Sequence, residues 1–174
     1  ITLSLIGMQL RVSGTQGLRF IAELSGEYQN RTDFTYGLCV LPEELIPDGE
    51  ELTLETSGAK SVSSAQSGFK IFDETADARR YTVCITGIAP KHYNRRYTVR
   101  AFIHYVQNGE EKTVYSESMS GSILEVINGL KILYPGQYDE LYDTIMQDYS
   151  DTFLSAGEYK NTLISLAANG MKTV

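Results

Sequence analysis

The sequence predicts a mainly β protein, an antiparallel β-sandwich carrying a C-terminal helical segment. Three observations carry this expectation. Between Leu3 and Ser116, apolar and polar residues alternate in short runs, the two-residue period of a strand with one buried face. Clusters of Gly, Ser and Asn separate the runs, with no helical stretch between them, which points to hairpins rather than βαβ units. After Ser122 the apolar spacing lengthens to that of one-sided helices. An immunoglobulin-like strand arrangement is compatible with this order.

In chain order, Leu3 to Val12 is the first strand, with Ile6, Met8, Leu10 and Val12 in phase, and Ser13 to Gly17 is a turn by composition. Leu18, Phe20, Ala22 and Leu24 define the inward face of the second strand. Beyond a polar loop, Phe34, Tyr36, Leu38 and Val40 share a face of the third. Pro42 to Gly49 is a connection, because its prolines cannot donate to a ladder. Glu51 to Glu55 is expected as a short edge strand, Gly58 to Gly68 as an exposed loop, Phe69 to Phe72 as a brief strand and Asp73 to Ala78 as a turn. Tyr81 to Ile88 alternates again, and Ala89 to Asn94 is expected to close it into a hairpin with the central strand, Arg95 to Val106. There Tyr97, Val99, Ala101, Ile103 and Tyr105 form a core face, opposite Arg96, Thr98, Arg100, Phe102, His104 and Val106. Asn108-Gly109 suits a type I′ turn into Thr113 to Ser116.

Ser122 and Glu125 then stand at capping-box spacing, and Ile123, Val126, Ile127, Leu130 and Leu133 continue as a helix up to the Pro135-Gly136 break. Tyr138, Leu141, Tyr142, Ile145, Met146 and Tyr149 form the stripe of a second helix. Tyr159, Leu163, Leu166 and Ala167 form that of a third, ending at Asn169-Gly170. Residues 1–118 are thus expected to make the sandwich. Residues 119–174 are expected to make a helical segment packed on it, or on a neighbouring module, through Tyr138, Tyr142 and Tyr149.

The composition is that of a folded chain: 174 residues, 42% hydrophobic and 21% charged, with a net charge of −7. That charge argues against a nucleic-acid partner, and no apolar run reaches the roughly 20 residues of a membrane-spanning helix, so no membrane insertion is expected. The chain opens at Ile1 already in strand-like sequence, as expected of a piece of something longer. Charge is unevenly placed. Arg79 to Arg100 holds Arg79, Arg80, Lys91, Arg95, Arg96 and Arg100 with no acid, whereas Pro135 to Lys160 is acidic. The plain expectation is that these segments lie near each other and partly neutralise; the sharper one is a basic groove for an anion.

Catalytic and metal motifs are sparse. His92 and His104 lack the spacing of a metal pair, Asp73 to Asp77 does not supply the calcium-loop ligand pattern, and no metal or cofactor is expected. Ser57 and Ser67 each precede a lysine by three residues, but a pattern this short, in an expected loop, is a chance match. Phosphate-cradling and nucleophile-elbow motifs are missing, so the chain is read as not an enzyme. Cys39 and Cys84 fall on the less apolar faces of their strands. They would bridge only if those strands were neighbours in an oxidising compartment; free thiols are preferred. Twelve tyrosines and no tryptophan leave Tyr28 and Tyr93, in loops, as the aromatic groups best placed for a ligand. Asn30-Arg31-Thr32 fits a glycosylation sequon.

The segments GLRFIAEL (Gly17 to Leu24), YGLCVLPEEL (Tyr36 to Leu45), YTVCITGI (Tyr81 to Ile88), YNRRYTVRAFIHY (Tyr93 to Tyr105) and VYSESMSGSILEV (Val114 to Val126) come in a definite order. Over roughly residues 15–128 this resembles a β-rich module of large secreted and cell-surface proteins of Gram-positive anaerobes. The resemblance implies an extracellular or cell-surface accessory domain, found beside glycan-active or anchoring modules, and transfers no catalytic residue. The expected function is therefore a non-catalytic structural or interaction module, whose partners are neighbouring modules or another surface protein. The alternative is a carbohydrate-binding module using Arg96, Arg100, His104, Tyr28 and Tyr93 on a polysaccharide, and a glycan-active enzyme comes third.

Overall fold

The computed structural model describes residues 2–26, 33–75 and 77–155, except the side chains of 153–155. Tyr28, the Asn30 sequon and the third helical candidate lie outside the described residues. Within them the chain forms strands β1 (Thr2–Arg11), β2 (Gly17–Ser25), β3 (Phe34–Pro42), β4 (Lys60–Ser63), β5 (Ile71–Glu74), β6 (Ala78–Thr86), β7 (Tyr97–Gln107) and β8 (Glu110–Gly121). Helices α1 (Ile123–Leu133) and α2 (Asp139–Ser155) follow. Contacts divide the chain into two compact units, one of residues 1–86 and 95–122, the other of residues 87–94 with the helices.

The first unit is a sandwich of two four-stranded antiparallel sheets, ordered β1-β2-β6-β5 and β4-β3-β7-β8. Read as strands A, B, E, D over C′, C, F, G, this is the immunoglobulin arrangement. Its inner faces are those the alternation predicts. Leu18, Phe20, Ala22 and Leu24 of β2 and Tyr81 of β6 are fully buried on one side, as are Leu38 of β3 and Val99 and Ala101 of β7 on the other. Each such Leu or Phe contributes roughly 1.5–3 kcal/mol by leaving water. Tyr36 and Tyr81 pack edge to face across the sheets at 5.0 Å, and the Tyr81 hydroxyl donates to the Gly37 carbonyl at 3.3 Å. This contact puts the start of β3 at the same end as the start of β6. Thr2 is opposite Ser25, and Ser25 opposite Ala78, so β1 starts there too. Gly121 is opposite Tyr97, and Tyr97 opposite Pro42, so β8 finishes at the far end. The first and last strands thus point the same way, and the chain leaves the sandwich at the end opposite to the one where β1 begins.

The turn chemistry at the β7–β8 hairpin is as expected: Asn108 and Gly109 both take positive φ, 55° and 81°. Other expectations are corrected. β6 and β7 do not pair as a hairpin; they lie in different sheets. The link from Gly87 to Arg96, with its 3-10 turn at Pro90–His92, carries the chain across instead of making a tight reversal. Glu51 to Glu55 is a turn closed by Thr53 and Thr56, not an edge strand. Gly58 to Gly68 contains β4, which pairs Lys60–Ser63 with Val40–Gly37. An edge strand held by backbone bonds alone needs no apolar period, so composition concealed it. The strand expected at Phe69–Phe72 starts later, at Ile71, because the Phe69 ring turns inward between Tyr36 and Tyr81, at 5.6 and 5.7 Å. In β1 a bulge at Ile6 breaks the expected phase: Leu3, Leu5, Met8 and Leu10 pair with the β2 core residues Leu24, Ala22, Phe20 and Leu18, and Ile6 is 44% exposed.

In the second unit the Leu124 N–H donates to the Tyr93 carbonyl at 3.0 Å, anchoring the start of α1 to the 87–94 segment. α2 packs against α1 and against the Pro90–His92 turn. Tyr134 and Tyr138 meet edge to face at 5.8 Å, and the Lys131 ammonium sits 3.8 Å over the Tyr142 ring. No helix among the described residues is long and apolar enough to cross a membrane.

Candidate functional site

Arg100 leaves the inner face of β7 to Val99 and Ala101 and turns to the outer face of its sheet. Its side chain is only 13% exposed. The guanidinium donates to the Ser116 carbonyl at 2.7 Å and to the Leu52 carbonyl at 3.1 Å, and lies 4.8 Å over the Tyr115 ring. It also pairs with Glu51 at 3.2 Å. The Tyr115 hydroxyl in turn accepts the Leu54 N–H at 3.0 Å. These bonds fold the segment after β3 back over the sheet, where Cys39, Leu41 and Leu52 form a second small core with Ile46, Leu54 and Ala59. Arg100 therefore acts as a clamp, with its donors directed at main-chain carbonyls.

The other expected ligand groups on this strand are likewise engaged. Arg96 pairs with Glu43 at 3.2 Å, and the His104 Nδ1 lies 3.0 Å from the Thr113 hydroxyl. Arg95 bonds Glu44 at 2.5 Å. Farther along, Arg79 bonds Glu74, and Arg80 bonds Glu23. The five arginines of the basic run thus find counter-charges within the sandwich, from Glu23, Glu43, Glu44, Glu51 and Glu74. Tyr93 belongs to the other unit, half-buried at the end of its 3-10 turn, where burial and then the charge of Asp148 push its phenol above the usual range. Arg96, Arg100 and His104 do share one face, as the period requires, but each is bonded to groups of the chain itself, Arg100 almost out of water and Arg96 still 45% exposed.

The cysteines are free thiols on the outer faces of opposite sheets, Cys39 opposite Arg100 and Cys84 opposite Arg19, so β3 and β6 are not the neighbours a bridge would need. Burial pushes the Cys39 thiol up to about 11, against the opposing charge of Arg100. Burial also raises Cys84, opposed by Arg11 and Arg19. Both shifts disfavour the thiolate, the nucleophilic form. Among the described residues no group of three or more His, Cys, Asp or Glu side chains is placed to hold a metal ion.

Sequence reading missed two things here. The partners of Arg100 were hidden because Leu52 and Ser116 act through carbonyls, which no side-chain pattern announces; only Tyr115, in phase on the next strand, gave a signal. It also missed a groove of about 380 Å³ beside β6, lined by Thr82 and Cys84 together with Arg11, Gln66, Phe69 and Lys70. That groove depends on where β5 stops, which alternation did not locate. Compared with known families and with curated proteins, the chain matches no family model and no curated protein.

Proposed function

We propose that this chain is a non-catalytic structural and interaction module of a larger extracellular or cell-surface protein. The observation that carries the reading is the Arg100 clamp. The cationic face best suited to an anionic or sugar ligand is spent on holding residues 43–59 to the sheet, as in a module whose outer face serves its own integrity. The direction of the chain supports it further, since a sandwich begun at one end and left at the other can stand in series with neighbouring modules. The likeness of residues 15–128 to modules of secreted Gram-positive proteins supports the extracellular placement.

The test is a pull-down of the purified chain on insoluble plant and bacterial cell-wall polysaccharides, with albumin as control. The expected result is no depletion beyond that of albumin. Specific depletion that Tyr93→Ala or Arg96→Ala weakens would replace this reading by a carbohydrate-binding one.

A further inference from the structure

β6 is paired along its whole length on one side only. β2 runs beside it from Gly17↔Thr86 to Ser25↔Ala78, whereas β5 accompanies only Arg79 to Tyr81. From Thr82 to Thr86 the ladder has no strand on its second side among the described residues. Alternate residues of an antiparallel strand send their N–H and C=O groups to opposite sides. The Ile85 carbonyl faces Gly17 of β2, whereas the Ala78 carbonyl accepts the Thr75 N–H on the β5 side. Thr82, Cys84 and Thr86, in phase with Ala78, therefore aim their main-chain groups at the side on which no strand pairs with them, and Thr82 and Cys84 line the groove that separates them from Gln66 to Lys70. β5 vacates this place because Phe69 dives into the core and takes the chain off the ladder.

The groove is cationic in a chain of net charge −7: Arg11 and Lys70 line it, no acid does, and Arg19 stands opposite Cys84 on the next strand. At about 3.3 Å per residue, Thr82 to Thr86 offers about 13 Å of open ladder, enough for a short strand. We infer that this edge receives an extended acidic peptide from another protein, which continues the sheet beyond β6 by main-chain pairing and is selected by Arg11 and Lys70. The inference rests on the interaction-module reading and names the surface that would serve it. An acidic polysaccharide matches the charge but offers no strand of amides to the ladder, so the peptide is favoured.

The experiment uses the whole chain and a labelled octapeptide of alternating Thr and Glu, followed by fluorescence anisotropy. Two control peptides are N-methylated, one at every Thr and the other at every Glu. Because only one alternate set of amides can face β6, one control should bind at least tenfold more weakly and the other nearly as well as the parent. Lys70→Glu, at an exposed position, should also weaken binding at least tenfold. By hydrogen exchange, the Thr82, Cys84 and Thr86 amides should be fast in the free chain and slowed by the peptide. Equal binding of both methylated peptides would reduce the effect to charge attraction and overturn the inference. So would slow exchange of these amides in the free chain, or no anisotropy change up to millimolar peptide. Failure of the peptide without polysaccharide capture leaves the module reading standing on another surface; binding of polygalacturonate instead sinks both.

Discussion

Replacing Arg100 by Ala tests the clamp on which the proposed function rests. The substitution removes two hydrogen bonds from a charged donor to carbonyls at 2.7 and 3.1 Å, and such bonds contribute about 1.5–3 kcal/mol each. It removes the contact with the Tyr115 ring, worth about 1 kcal/mol. The pair with Glu51, whose side chain is 76% exposed, adds little, at most about 1 kcal/mol. Allowing for water reaching the released carbonyls, the expected loss is about 3–5 kcal/mol, large for one substitution. At about 2–4 °C per kcal/mol for a chain of this size, that lowers Tm by about 10 °C. Thermal unfolding followed by circular dichroism measures it, with Glu51→Gln as the control expected to move Tm by no more than about 4 °C. Amide exchange should quicken at Leu54, whose N–H bonds Tyr115. If Arg100→Ala and Glu51→Gln shift Tm equally, the interaction is an ordinary surface ion pair and the clamp is refuted.

Other outcomes follow from the same geometry. Tyr115→Phe keeps the ring under Arg100 but removes the acceptor of the Leu54 N–H; a loss of about 1 kcal/mol is expected in urea unfolding. Gly37→Ala would drive a methyl into the Val62 carbonyl and the Phe102 ring, so it should cost about 2–3 kcal/mol and expose the β4 amides to exchange. The Cys39 thiol titrates near 9.0 when unfolded and near 11 when folded. Its raised value stabilises the fold below pH 9 by about 3 kcal/mol, a contribution lost as pH climbs from 9 to 11. Over that window wild type should lose more stability than Cys39→Ala, and equal slopes would refute the burial of this thiol. Ile6→Thr, at the exposed bulge, should change stability by less than about 0.5 kcal/mol, whereas Leu24→Ala should cost about 2–5 kcal/mol.

Strand alternation located the sandwich because β2 buries one face completely and β3, β6 and β7 bury the middle of one face, and a period of two is what burial of one face writes into a sequence. It failed where the chain is held by backbone groups. β4 carries Lys60-Ser61-Val62-Ser63, with no apolar period, and is recognised only through its pairing with β3. β6 and β7 are consecutive strong strands, which alone suggests a hairpin; whether a link reverses or crosses depends on its length and on which partners have matching faces. The candidate site was half legible. Arg96, Arg100 and His104 do share a face, but their partners are carbonyls, carboxylates and one hydroxyl of residues 43–52 and 113–120, brought there by tertiary folding. The groove beside β6 was invisible for a related reason, since it is defined by a strand that stops short.

The parallel course of β1 and β8 has a mechanical consequence. Tension applied between Thr2 and Gly121 would act along the strand axes. The nine residue pairs joining β1 to β2 would then be loaded in shear, together, rather than peeled apart one after another from an end. Of these pairs, those on the far side of the Ile6 bulge from Thr2, from Gly7↔Ile21 to Arg11↔Gly17, form an uninterrupted run. The bulge at Ile6 divides the nine pairs into two blocks, Thr2 to Leu5 and Gly7 to Arg11, each of which must give way as a unit before β1 can leave the sheet.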